Sequence, residues 1–141
     1  MDGCKGIILK TSYDKMGSTG NISILGKTML EWVSLSLCEM PVVAIDNDDS
    51  VPLPALIRDS LDADKEYTVV LYSDTPLITR RTVKAALEEA RLNNLNVLRM
   101  TRGFVFKTDY IMTAEKIYTD KTYYYDEQDF ITVYGFSQLA Y

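Results

Sequence analysis

The sequence predicts an α/β domain with a mostly parallel sheet and helices on both faces, and three observations carry that expectation. The segment Tyr67-Thr68-Val69-Val70-Leu71-Tyr72 is a near-continuous run of β-forming, largely apolar residues, the pattern of an interior strand covered on both sides. Other β-rich runs alternate with stretches whose apolar residues recur at helical spacing, as in βαβ units. Turn and cap residues punctuate the boundaries between them.

Taken in order, Lys5 to Lys10 reads as a first strand, and Thr11 to Gly20 as a polar loop with glycines at 17 and 20. Such a loop can cradle phosphate through its N–H groups, but its glycines follow neither the dinucleotide nor the P-loop spacing. A surface loop is the plainer reading. Thr28 and Glu31 form a capping box ahead of a helix whose stripe is Met29, Leu30, Val33 and Leu37. Trp32 reads as packing, Cys38 as a small buried residue on the same pattern, and Pro41 as the stop.

Val42 to Ile45 reads as a second buried strand, ending in Asp46-Asn47-Asp48-Asp49-Ser50. That acidic cluster lacks the Gly and the terminal Glu of an EF-hand loop, so a solvated turn is expected. Pro52 and Pro54 open a short helix with Leu53, Leu56, Ile57 and Leu61 on one face. After the central strand, Thr79 is an N-cap for a helix burying Val83, Ala86, Leu87 and Ala90, closed by Asn93-Asn94. Leu95 to Met100 and Gly103 to Phe106 are two further strands. Thr108 starts a helix with Ile111, Ala114 and Tyr118 in register. The last β-rich stretches are 123–125 and 130–134, with a helical stub over 136–141.

The 141 residues suit one domain spanning the whole chain. A net charge of -5 and no basic cluster beyond Arg80-Arg81 argue against nucleic acid as a partner. No apolar run reaches membrane-spanning length and no signal peptide is recognisable, so a cytoplasmic location is expected. Histidine is absent, which removes the usual Ser-His-Asp and Cys-His mechanisms and the usual zinc sites. Chemistry would have to rest on carboxylates, lysines, hydroxyls and an oxygen-bound metal. Asp74 is the natural candidate, because it stands just past the carboxyl end of the central strand, where open α/β sheets bind ligands. The alternative is that it accepts hydrogen bonds from its own turn.

Four segments in order resemble one family. Ile24-Leu25-Gly26-Lys27-Thr28-Met29-Leu30-Glu31-Trp32-Val33 is similar to L-x-G-K-P-M-L-E-W-V, and Leu71-Tyr72-Ser73-Asp74-Thr75-Pro76-Leu77 to L-Y-G-D-x-P-L. Gly103 to Phe106 looks like the strand bearing N-x-G-I-Y-x-F, and Val133 to Ala140 like V-N-x-R-x-Q-L-A. The chain thus resembles a shortened, divergent sugar-1-phosphate nucleotidyltransferase, most like the uridyltransferase domain of N-acetylglucosamine-1-phosphate uridyltransferases. The resemblance implies a Rossmann-like fold and transfer of a uridylyl group from UTP to a sugar phosphate. It implies Mg²⁺ on Asp74, catalytic cations at Lys15 and Lys27, and nucleotide contacts at Leu9, Ser12 and Ser73.

The chain also departs from that pattern. The family's glycine-rich loop is replaced by Leu9-Lys10-Thr11-Ser12-Tyr13-Asp14-Lys15-Met16, with side chains where backbone must approach phosphate. The family's upstream Lys has no counterpart between Thr19 and Asn21. Its base-reading segment has none between Ser50 and Glu66. Its second metal ligand falls on Tyr134, a poor magnesium donor. Impaired or lost catalysis is therefore expected, the alternative being a non-catalytic nucleotide-binding or protein-interaction module on the same fold. Ten tyrosines and an exposed edge strand would suit a protein partner or a homo-oligomer.

Overall fold

The computed structural model describes residues 3–13, 17–18, 23–37 and 39–122. Its centre is a six-stranded sheet of β1 (Cys4–Lys10), β6 (Val42–Asp46), β7 (Tyr67–Tyr72), β8 (Val97–Met100), β9 (Gly103–Lys107) and β10 (Lys121–Thr122), in the order β10-β8-β9-β7-β1-β6. β1 is parallel to both β6 and β7, and β10 is parallel to β8. β9 alone among them runs antiparallel to its neighbours β7 and β8.

Residue alternation along the strands feeds two cores. Ile8 of β1 and Val69 and Leu71 of β7 face α1 (Met29–Leu35) and α3 (Arg80–Leu92), meeting Val33, Val83, Ala86 and Leu87. Ile7, Leu9 and Val70 face the other way, toward α2 (Leu53–Ile57) and α4 (Thr108–Thr113), meeting Ile57 and Ile111. The period-2 strand pattern thus serves helices on both faces. No helix among the described residues is long and apolar enough to cross a membrane.

The caps form as the sequence predicts. The Thr28 hydroxyl accepts from the Glu31 N–H while Glu31 accepts from the Thr28 N–H, and the Thr79 hydroxyl accepts from the Thr82 N–H. Asn93 caps the far end of α3.

Several boundaries differ from expectation. The loop after β1 contains a small hairpin, β2 (Ser12–Tyr13) against β3 (Gly17–Ser18). A second hairpin, β4 (Ser23–Ile24) against β5 (Lys27–Thr28), turns through Leu25 and Gly26, both at positive φ. α1 ends at Leu35, well before Pro41, because the Ser34 and Ser36 hydroxyls draw on the carbonyls of Leu30 and Val33 at its last turn. β6 is a half-exposed edge strand and not a buried one. β8 begins two residues later than Leu95. α4 stops at Thr113, where Ala114 turns extended and gives its carbonyl to Arg58, so Tyr118 leaves the helical register and is exposed. The expectations for Cys38 and for 123–141 lie outside the described residues.

Candidate functional site

The chain leaves β1 for β6 on one side and then crosses back to β7 on the other. In open α/β sheets such a reversal marks the place, beyond the carboxyl ends of β1 and β7, where ligands are taken. Four adjacent positions in β7 and the turn after it stand at this end of the sheet. Tyr72 is half-buried, and Ser73, Asp74 and Thr75 are fully buried. Thr75 closes the turn, its hydroxyl donating to the Tyr72 carbonyl at 2.9 Å.

Ser73 ties the two strand ends together. Its N–H donates to the Leu9 carbonyl at 2.9 Å, and its hydroxyl accepts from the Thr11 N–H at 3.0 Å. The Thr11 hydroxyl lies 3.4 Å from the same oxygen. The chain leaving β1 is therefore anchored to β7 at its first residue.

Asp74 is fully buried and meets a cation that the sequence reading passed over. Arg102 donates from Nη2 to Oδ2 at 3.0 Å and from Nε to Oδ1 at 3.3 Å, a two-point fork on the carboxylate. Strand register explains how an arginine 28 residues away arrives there. β9 pairs Gly103 with Leu71, so the residue one step before Gly103 stands beside Tyr72. The guanidinium accordingly covers the Tyr72 ring at 4.0 Å from its centroid, an additional cation–π hold. Burial raises the Tyr72 phenol above its ordinary value, and the nearby Arg102 charge opposes that shift.

Gly103 makes this approach feasible. It sits at φ 155, and a Cβ there would come within 2.7 Å of the Val70 carbonyl oxygen. Tyr72, Arg99, Thr101, Arg102 and Phe104 line a small cleft of about 140 Å³ over the turn.

The remaining residues singled out from the sequence are scattered. Leu9 is fully buried among Ile7, Val70 and Phe106, and its carbonyl is taken by the Ser73 N–H. Lys27 is exposed on β5, its ammonium 5.9 Å from the Trp32 ring centroid. Trp32 donates its indole N–H to the Ile24 carbonyl at 2.8 Å, stapling the second hairpin to α1. Ser12 lies in β2, and Lys15 lies outside the described residues. Of the acidic 46–50 segment, Asp46 ends β6 and the remaining residues are held by their own side chains, Asn47 to Asp49 and Ser50 to Asp48.

Arg102 is the site residue that sequence reasoning missed. Its one signal was an arginine in a two-residue turn directly before a glycine, between two strand patterns.

No protein-family model matches the chain, and no curated protein sequence does. Solved structures match in fold. The chain is similar to 4-diphosphocytidyl-2C-methyl-D-erythritol synthase from Anaerococcus prevotii, with a TM-score of 0.70 at 9% identity over 99% of this chain and 96% of that one. It is similar to Rv0371c from Mycobacterium tuberculosis, solved with manganese, with a TM-score of 0.61 at 10% identity over 87% and 88%. A hypothetical transferase from Thermus thermophilus gives a TM-score of 0.57 at 15% identity; 74% of this chain covers 65% of that one, just under two thirds. The chain therefore shares the α/β fold of these proteins, with its mainly parallel six-stranded sheet.

A divalent metal of the kind the resemblance implies would need oxygen donors converging at Asp74. Among the described residues no group of three or more acidic, His or Cys side chains could hold a metal ion. Both Asp74 oxygens already face a guanidinium, and a dication beside it would meet like charge in a buried setting. The described residues do not fit a metal there.

Proposed function

We propose that this chain is a nucleotidyltransferase-fold domain of the UDP-N-acetylglucosamine pyrophosphorylase type that has lost most or all of its catalysis and keeps a site for a nucleotide or sugar phosphate. The observation that supports this best is the fork of Arg102 on Asp74. Attack on the α-phosphate of a nucleoside triphosphate needs positive charge that follows the charge developing in the transition state. An arginine already committed to a buried carboxylate binds phosphate in the ground state as well as later, so it adds affinity without rate. The anchoring of Thr11 to Ser73 points the same way, since it fixes a side-chain-bearing segment where a phosphate-wrapping loop would have to move.

The test is calorimetric titration with UTP, followed by an assay of pyrophosphate release with N-acetylglucosamine-1-phosphate. Binding without release above background is the expected result. Sustained release would show a working enzyme and overturn the loss of catalysis. No binding at millimolar UTP would overturn the nucleotide site.

A second reading, a protein-interaction module, has one observation in its favour. Trp32, Leu35, Pro76 and Leu77 border a groove of about 320 Å³, and Leu35 and Leu77 are 47% and 53% exposed.

A further inference from the structure

We propose that the cleft between Tyr72 and the β8–β9 turn holds the phosphate or diphosphate of its ligand without a divalent metal, Arg102 and Arg99 together bringing the charge a metal would bring. This rests on the nucleotide-site reading above and adds how phosphate is held. Arg102 and Arg99 line the same cleft and bring two guanidinium charges to it.

Geometry fixes the first of these cations. Asp74 grips one edge of the Arg102 guanidinium, the Tyr72 ring lies beneath it at 4.0 Å, and the tight β8–β9 turn sets its backbone. Yet 34% of the Arg102 side chain remains open to solvent. An oriented, partly open guanidinium is a planar donor matched to phosphate oxygens, and it loses little rotamer freedom on binding. Arg99 is exposed on β8, opposite Phe104 in the register, and adds the second cation at the rim. A volume of about 140 Å³ lies well below that of pockets taking whole drug-sized ligands, so the cleft suits a phosphate group and leaves any base outside.

The experiment titrates the full chain with inorganic pyrophosphate in EDTA. Saturable binding with a Kd below about 1 mM is expected, and replacing EDTA with Mg²⁺ should not tighten it. Arg99→Gln should weaken binding about tenfold, a charge-assisted contact being lost. Arg102→Gln alone would strand a buried carboxylate and destabilise the fold, mixing stability with binding. The double variant Asp74→Asn with Arg102→Gln removes both charges together and should also weaken binding about tenfold or more. Binding of pyrophosphate or UTP only when Mg²⁺ is present would overturn the metal-free site while leaving the nucleotide reading intact. Absent pyrophosphate binding, or binding unchanged in both variants, would overturn it too. So would Mn²⁺ uptake by the chain alone, read from loss of the free-ion EPR signal.

Discussion

One guanidinium engages both oxygens of the buried Asp74, with Arg102 Nη2 at 3.0 Å and Nε at 3.3 Å. The pair joins the end of β7 to the β8–β9 turn, so it ties the mixed half of the sheet to the parallel half. Removing one member leaves the other's charge, which is worse than removing both.

Arg102→Ala should therefore destabilise the fold by roughly 2–4 kcal/mol, somewhat under the range for fully buried pairs because the guanidinium is a third open. The combined Asp74→Asn and Arg102→Gln change should cost less than Arg102→Ala. Urea denaturation of the three proteins checks this, and equal losses would show that the pair contributes only packing.

Gly103→Ala should cost about 2–4 kcal/mol, since the new methyl would press on the Val70 carbonyl at a φ of 155 that side chains rarely adopt. The same variant should shift the turn and lower pyrophosphate affinity. A melting temperature within a degree or so of the parent would contradict the assigned strand register.

Ser73→Gly restores the residue type of the resembled family but removes the acceptor of the Thr11 N–H. A loss of about 1–3 kcal/mol is expected from the buried donor. Faster amide exchange at Thr11 is the direct readout, and protection there equal to the parent would refute the anchoring role.

Thr79→Ala removes the hydroxyl that accepts from the Thr82 N–H at the start of α3. About 1 kcal/mol should be lost, with Thr79→Ser close to neutral. Chemical denaturation distinguishes the two.

Cys4 supplies a pH signature. Burial raises its thiol above the ordinary value, with Arg91 acting in opposition. Because the folded value is the higher one, this contribution is complete below the unfolded thiol value near about 8.5 and is lost as the pH climbs through the folded value. Stability should fall above that point, and the fall should shrink in Cys4→Ala. Native Cys4, 1% exposed, should also resist alkylation at pH 8 until the chain unfolds.

What the sequence determined by itself is the local order of the chain. Near-neighbour physics wrote the Thr28–Glu31 box, the Thr79 cap, the period-2 strands and the buried run before Asp74, and these appear where the residues place them. Helix ends were less legible, because Ser34, Ser36 and Arg58 compete for carbonyls through contacts that no periodicity records. The likeness of the Asp74 motif to a metal-binding one was also visible in the chain.

Only the tertiary structure decided what Asp74 faces. Among the described residues its arginine partner lies 28 residues on, in a turn that local pattern marks merely as a connection. Antiparallel pairing of β9 with β7 brings Arg102 beside Tyr72, and the glycine after it lets the strands close. A buried charge is defined by its nearest counter-charge, and in a sheet that neighbour is chosen by strand register across space, not by position along the chain.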